Sequence, residues 1–134
     1  MATSKIIYLG NLRTEAIHIK SGTKIITDAP IDNQGKGEAF SPTDLVATAL
    51  GSCMLTIIGI KARDNNMDIE GTTVTITKIM SAEPRKISEV VVEFNFGDKK
   101  FSEKEKIIIM NCAKSCPVAL SLDPAIQQSL TFNF

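Results

Sequence analysis

The chain lacks any excess of charge of one sign. Fifteen lysines and arginines balance fifteen aspartates and glutamates, and no long run of like charges occurs in its 134 residues. Non-specific nucleic-acid binding draws on counterion release from a concentrated basic surface, so this balance argues against it. The short pairs Arg85-Lys86 and Lys99-Lys100 read as solvated loop positions. A signal-peptide apolar region is also missing: Met1 to Ser4 are too polar, and Ile6-Ile7-Tyr8-Leu9 is too short. The longest apolar stretch, Leu45 to Ile60, is interrupted by threonine, glycine and serine and reads as short of a membrane span. These absences point to a cytoplasmic protein with neither nucleic acid nor membrane as a partner.

Cysteine is scarce too, with only three in the chain, and histidine occurs once, at His18. A disulfide scaffold is not expected where thiols are kept reduced, so the cysteines are buried fillers, metal ligands or redox centres. No CxxC pair exists, and the spacing of Cys53, Cys112 and Cys116 fits no structural zinc pattern, so no metal is expected. Internal repeats and low-complexity linkers are absent. The length and the 43% hydrophobic content fit one domain, residues 1–134, around a single core.

What is present divides cleanly along the chain. Residues 5–28 read as short strands, with Ser21-Gly22 turning between Ala16-Ile17-His18-Ile19 and Lys24-Ile25-Ile26-Thr27. Residues 29–40, which carry Pro30, Gly35 and Gly37, read as a loop. Ser41 is a natural N-cap, Pro42 suits the first helical position, and Asp44 can reach back to free amides. The helix they open runs to about Arg63 and is apolar on nearly every side, which marks a buried helix. In a domain of this size, complete burial calls for a second subunit. Strands follow near 68–80 and 87–96, the second with Val90, Val92, Phe94 and Phe96 in strict alternation. Ser102 and Glu105 form a capping box for a second helix, which Pro117 must interrupt. Leu130, Phe132 and Phe134 close the chain as a strand. The order β-β-β-α-β-β-α-α-β is an α+β pattern.

Taken alone, Cys53 inside the buried helix packs as a small core residue, and Cys112 does the same on the second helix. Cys116 is different. A residue before a helix-starting proline takes the N-cap, where free amides and the helix dipole favour a thiolate. Such a sulfur leaves readily when a disulfide is reduced, so Cys116 reads as a redox partner.

The segment Ser41-Pro42-Thr43-Asp44-Leu45-Val46-Ala47-Thr48-Ala49-Leu50-Gly51-Ser52-Cys53 resembles the helix signature of the OsmC/Ohr family. Cys116-Pro117-Val118 is similar to that family's second motif, and Tyr8, Gly10, Asn11, Leu12, Arg13 and His18 resemble its N-terminal strand. The resemblance implies an α+β OsmC-like fold of antiparallel sheets packed around a buried central helix, in an intertwined homodimer. It also implies a two-cysteine peroxidase that needs no cofactor. Cys53 would attack the O–O bond of an organic hydroperoxide and become a sulfenic acid. Cys116 would condense with it to a disulfide. A dithiol, on a lipoyl-bearing protein or a small molecule, would restore both thiols.

This chemistry needs a cation, because burial in an apolar helix raises a thiol pKa and a fixed positive charge reverses that. Arg13 matches the strand arginine of the hydroperoxide reductases. Their helix glutamate falls at Thr43 here, which leaves Asp44 or Glu38 to orient Arg13. Phe40, Met54 and Phe101 are the expected apolar substrate contacts, and His18 is left as an ordinary strand residue. A second reading is a non-catalytic OsmC-like dimer that binds an apolar small molecule or acts as a stress-response interaction protein. Retention of both Cys53 and Cys116 favours catalysis.

Overall fold

The computed structural model describes residues 1–134. Three strands come first: β1 (Ser4–Gly10), β2 (Arg13–His18) and β3 (Lys24–Asp28). They form an antiparallel sheet in the order β1-β2-β3. The β1–β2 link is only Asn11-Leu12, both at positive φ (54° and 63°), the geometry of a primed hairpin turn that follows the right-handed twist of its strands. Alternating residues on both faces of this sheet are apolar and exposed: Ile6 and Tyr8 on one side of β1, Ile7 and Leu9 on the other, with Ile25 and Ile26 on β3.

After a 3-10 turn at Ile31–Asn33, the long helix α1 (Pro42–Asp64) begins. Ser41 and Asp44 close a reciprocal capping box: the Asp44 N–H donates to Ser41 Oγ, and the Ser41 N–H donates to Asp44 Oδ2, each at 3.0 Å. By length and composition alone α1 is apolar enough to cross a membrane, which corrects the reading that its polar interruptions leave it too short. Within the fold one stripe is buried, formed by Ala47, Leu50, Gly51, Met54, Ile58 and Ala62. This spacing of three and four is that of a helix face against a core. The remaining faces are half-buried or open, Val46 at 39% and Ile60 at 53% exposure. Burial of α1 in the single chain is therefore one-sided.

Next come β4 (Thr73–Ser81), β5 (Lys86–Asn95), α2 (Glu103–Lys114), α3 (Pro117–Ser121) and β6 (Gln127–Asn133). Residues 68–72 fall outside β4; there the Glu70 N–H donates to Asp68 Oδ1 in a local turn. The second sheet, β4-β5-β6, departs from the antiparallel expectation, since β6 runs parallel to β5. The reason is connectivity: α2 and α3 lie between these strands in the chain and supply the crossover that a parallel pair requires. Phe94 stands opposite Phe132 in that register, with ring centroids 4.7 Å apart, and Phe96 stacks on Phe134 at 5.0 Å.

By contact, the chain forms two compact units, Met1–Val46 and Ala47–Phe134. The buried apolar cluster lies wholly within the second. It includes Leu50, Met54 and Ile58 of α1, Val90, Val92 and Phe94 of β5, Ile109, Cys112 and Ala113 of α2, and Cys116. Gly51 lets α1 approach β4 closely: a Cβ there would stand 2.6 Å from Ile76 Cδ1 and 3.3 Å from Val74 Cγ1.

Candidate active site

Two of the three cysteines meet. Cys53 is carried on α1, half-buried against the core cluster, one residue along the helix from the fully buried Met54. Cys116 follows α2, whose capping box (Ser102 Oγ accepting the Glu105 N–H, Glu105 Oε1 accepting the Ser102 N–H) is formed as the sequence implies. At the end of α2 the helix cannot continue into Pro117, so Cys116 takes an extended conformation as the N-cap of α3, with Pro117 at its start. Its Sγ accepts the Ala119 N–H at 3.4 Å, and the residue is fully buried.

The electrostatics of Cys116 run against the thiolate expected from its position. Burial raises its pKa, the Ala119 and Val118 amides pull it back, and hydrogen bonding and charge repulsion with Cys53 push it further up. The net direction is upward. A short α3 supplies too little field to offset complete desolvation, so Cys116 is held as a thiol. To attack an oxidised sulfur on Cys53, Cys116 must first give up its proton, because the thiolate is the nucleophile. Cys112, also mostly buried, is likewise raised by desolvation, with Lys61 opposing. It packs in the core cluster, as its place on α2 implies.

Arg13 belongs to the first unit, and its partner is a residue that sequence reasoning missed. Its Nε donates to Asp28 Oδ1 at 2.7 Å and its Nη2 to Asp28 Oδ2 at 2.8 Å. Arg13 and Asp28 stand directly opposite each other in the β2–β3 register. The bidentate hydrogen bonds hold the Asp28 carboxyl below the usual carboxylate range and raise Arg13 above its ordinary value. Glu38 is only a secondary neighbour, its Oε1 3.6 Å from Nη2 and its side chain 63% exposed. Asp44, expected as a partner for Arg13, instead accepts the Ser41 N–H in the α1 cap, and Thr43 Oγ1 lies 3.2 Å from Ser41 Oγ. The signal for Asp28 was present in the hairpin: extending the Ser21-Gly22 register back along both strands brings residue 28 to residue 13.

The expected substrate contacts fare unequally. Met54 is completely buried, because one residue of helix turns it from the Cys53 face into the core, so it cannot line a substrate site. Phe101 is engaged edge-on with Phe96 and Phe134, at 5.4 and 6.0 Å, as part of the aromatic stack. Phe40 is 53% exposed. A separate depression of about 230 Å³ lies on α1 and β4, lined by Thr48, Gly51, Ser52, Leu55, Val74 and Ile76. It adjoins Cys53 in sequence, and sequence reading had no means of finding it. His18 sits at the end of β2 with its Nδ1 2.6 Å from Ser21 Oγ. No group of three or more histidine, cysteine or acidic side chains stands ready to hold a metal ion.

Comparison with solved structures gives 57% identity to a protein of Psychrobacter arcticus named for an osmotic stress induced and detoxification response. The match covers 99% of this chain and 96% of that one, with a TM-score of 0.96. More distant likenesses, in fold alone, include the organic hydroperoxide resistance protein OsmC of Legionella pneumophila. It is 16% identical with a TM-score of 0.73, over 100% of this chain and 98% of that one. An organic hydroperoxide resistance protein from Elizabethkingia anophelis, with thiocyanate bound, is also 16% identical; its TM-score is 0.68, over 99% and 96%. Comparison with curated proteins finds no match. The family model described as OsmC-like protein matches residues 35–131, a span that holds both cysteine motifs. With the sequence signatures, the two-sheet fold and this match in agreement, the chain belongs to the OsmC-like protein family.

Proposed function

We propose that the protein is a thiol peroxidase that reduces organic hydroperoxides to alcohols, with Cys53 as the attacking sulfur and Cys116 as the resolving one. The observation that carries this reading is the thiol pair itself: Cys116, a fully buried N-cap whose pKa is raised by desolvation, is near enough to Cys53 for that sulfur to raise it further. In the first step the Cys53 thiolate attacks the distal oxygen of ROOH. The S–O bond forms, the O–O bond breaks, and the alkoxide leaves to take up a proton as alcohol. The sulfenic acid then condenses with the Cys116 thiol, releasing water and forming the Cys53–Cys116 disulfide. Two electrons from an external dithiol, a lipoyl-bearing protein or a small molecule, return both thiols by exchange.

In this reading Arg13 supplies the positive charge that favours the thiolate and meets the developing alkoxide. The working form is a homodimer in the cytoplasm. Support for a second copy comes from the exposed apolar residues on both faces of the first sheet and from the open faces of α1, which a single chain leaves in water. The names of the Legionella and Elizabethkingia proteins, both tied to organic hydroperoxide resistance, are consistent with the substrate class.

The test is a count of free thiols before and after one equivalent of cumene hydroperoxide. Rapid loss of two of the three thiols is expected, with no loss in Cys53→Ser. Survival of all three in the wild-type protein removes the enzymatic claim and leaves a non-catalytic OsmC-like dimer.

A further inference from the structure

Returning a Cys53–Cys116 disulfide to two thiols needs an external sulfur, and that sulfur has two targets. In exchange, a thiolate attacks one sulfur while the other leaves, so access helps decide which is attacked. The two sulfurs differ sharply here. Cys53 is half-buried, whereas Cys116 is at 0% exposure. Helix α3 lies against Cys116 and is tied down at several points. The Ala119 N–H donates to Cys116 Sγ at 3.4 Å, and the Leu120 N–H donates to the Cys116 carbonyl at 3.1 Å. Gln128 Nε2 of β6 donates to the Ala119 carbonyl at 3.1 Å, which fastens α3 to the second sheet. Cys53, by contrast, has to be open to a hydroperoxide for the first step of the cycle.

Departure of the leaving sulfur is the other half of the exchange. Desolvation raises the Cys116 pKa, and a sulfur with a raised pKa leaves slowly unless its charge is received. The Ala119 N–H is already aimed at that atom and lowers the cost of charge there. Attack on Cys53 brings a second change. In the reduced protein, hydrogen bonding and charge repulsion with Cys53 push Cys116 further up. A Cys53 sulfur held in a mixed disulfide carries no charge, so that push is gone. What remains at Cys116 is burial set against the amides of Ala119 and Val118.

We propose that the reducing dithiol attacks Cys53 and expels Cys116, with the Ala119 N–H as the catalytic donor that receives the leaving thiolate. A thiolate of the dithiol forms an S–S bond to Cys53 as the Cys53–Cys116 bond breaks. The bonding pair stays on Cys116, which then takes up a proton. The second thiolate of the dithiol attacks the dithiol sulfur bonded to Cys53, closes the dithiol's own disulfide and expels the Cys53 thiolate. Two electrons pass from the dithiol to the protein. Peroxide and dithiol therefore meet the protein at the same sulfur. Every group involved lies in the second compact unit, and the proposal rests on the thiol-peroxidase reading.

The test oxidises the protein with one equivalent of cumene hydroperoxide or, separately, of diamide, and then adds the single-thiol probe 2-mercaptoethanol. Early acid quenching, alkylation and peptide mass spectrometry locate the mixed disulfide. The adduct is expected on Cys53 with Cys116 free, and an adduct mainly on Cys116 overturns the proposal. The donor is tested by ligation at Cys116, joining residues 1–115 to a synthetic 116–134 peptide that begins with that cysteine. An ester in place of the Val118–Ala119 amide deletes the Ala119 N–H, and the all-amide product is the control. Dithiothreitol should reduce the ester protein's disulfide about tenfold more slowly, the lower end for losing a hydrogen bond to a charged group. A loosened α3 would act the other way, speeding reduction and moving the adduct onto Cys116. That pattern, or equal rates, overturns the role of the Ala119 N–H. If the ester protein does not fold, Ala119→Pro removes the same N–H in a first turn, where proline is tolerated, and carries this arm. A disulfide made by diamide but not by peroxide overturns the peroxidase reading, while the adduct map still decides which sulfur is attacked. No Cys53–Cys116 disulfide with either oxidant overturns both.

Discussion

Gly51→Ala is the most informative single change to the packing beneath Cys53. Placed in a helix interior, alanine is favoured over glycine by about 1 kcal/mol. Against that, the new Cβ would stand 2.6 Å from Ile76 Cδ1, roughly 1 Å inside ordinary carbon–carbon contact. Overpacking of this kind costs about 1–3 kcal/mol. Here the cost falls toward the lower end, because Cδ1 is the mobile tip of its side chain and the adjoining depression of about 230 Å³ gives it room. Gly51→Ala alone should therefore be near neutral or destabilising by about 1 kcal/mol. Ile76→Val removes the clashing atom, at a cost of about 0.5–1.5 kcal/mol. In that background the nearest atoms to the new Cβ are Ile76 Cγ1 and Val74 Cγ1, both at 3.3 Å, and the helix gain is expressed. The two changes should thus couple favourably by about 1–2 kcal/mol. Urea denaturation of the four proteins at a common slope measures this directly. Additivity within about 0.5 kcal/mol would refute the idea that α1 is seated on β4 by the missing side chain at Gly51.

Other predictions concern the cap, the acid limb and thiol reactivity. Ser102→Ala opens the α2 capping box and should lower stability by about 1 kcal/mol in the same denaturation assay. Asp28 is held below the usual carboxylate range by its hydrogen bonds to Arg13, so its contribution is present above the unfolded value of about 3.9 and is lost as pH falls through its lower folded value. Urea midpoints against pH should show that acid loss in the wild type and a shallower acid limb in D28N. Burial raises the thiols of Cys112 and Cys116 and shields both, so iodoacetamide at neutral pH should leave them unlabelled in the native protein and label them on denaturation. Peptide mass spectrometry checks this, and prompt native labelling of Cys116 contradicts it.

Much of the fold is written locally. The alternation of Val90, Val92, Phe94 and Phe96, the Ser102/Glu105 box and the Pro117 break each specify their element without help from distant residues, and all three appear as expected. The pairing of β6 was not legible in the same way. Leu130, Phe132 and Phe134 announce a strand, but its direction beside β5 depends on how α2 and α3 carry the chain across the sheet. The long helix misled for a related reason. Its apolar residues surround the axis, so periodicity could not reveal that only the Ala47–Ala62 stripe is buried in the single chain.

At the site, the cysteine motifs were legible because each combines residue type with a local backbone device. The carboxylate partner of Arg13 was not, because capping and pairing compete for the same residue types. Asp44 sits where a cap needs it and serves as one, whereas Asp28 is announced only by counting register through a hairpin. Met54 was misplaced by a single helical step, which is enough to turn a side chain from the Cys53 face into the core. The thiol state of Cys116 required a magnitude that sequence cannot give, the weight of full burial against two amides of a short helix.

The central claim is that Cys53 and Cys116 form one redox unit from which Cys112 is excluded. Disulfide mapping after one equivalent of cumene hydroperoxide tests it most directly, with Cys116→Ser as the companion. The expected result is a single Cys53–Cys116 linked peptide with Cys112 free, and in Cys116→Ser a Cys53 that carries one oxygen and, when further equivalents are added, proceeds to the sulfinic acid. Unlinked cysteines throughout, or a link between Cys112 and Cys116 with Cys53 untouched, would contradict the account.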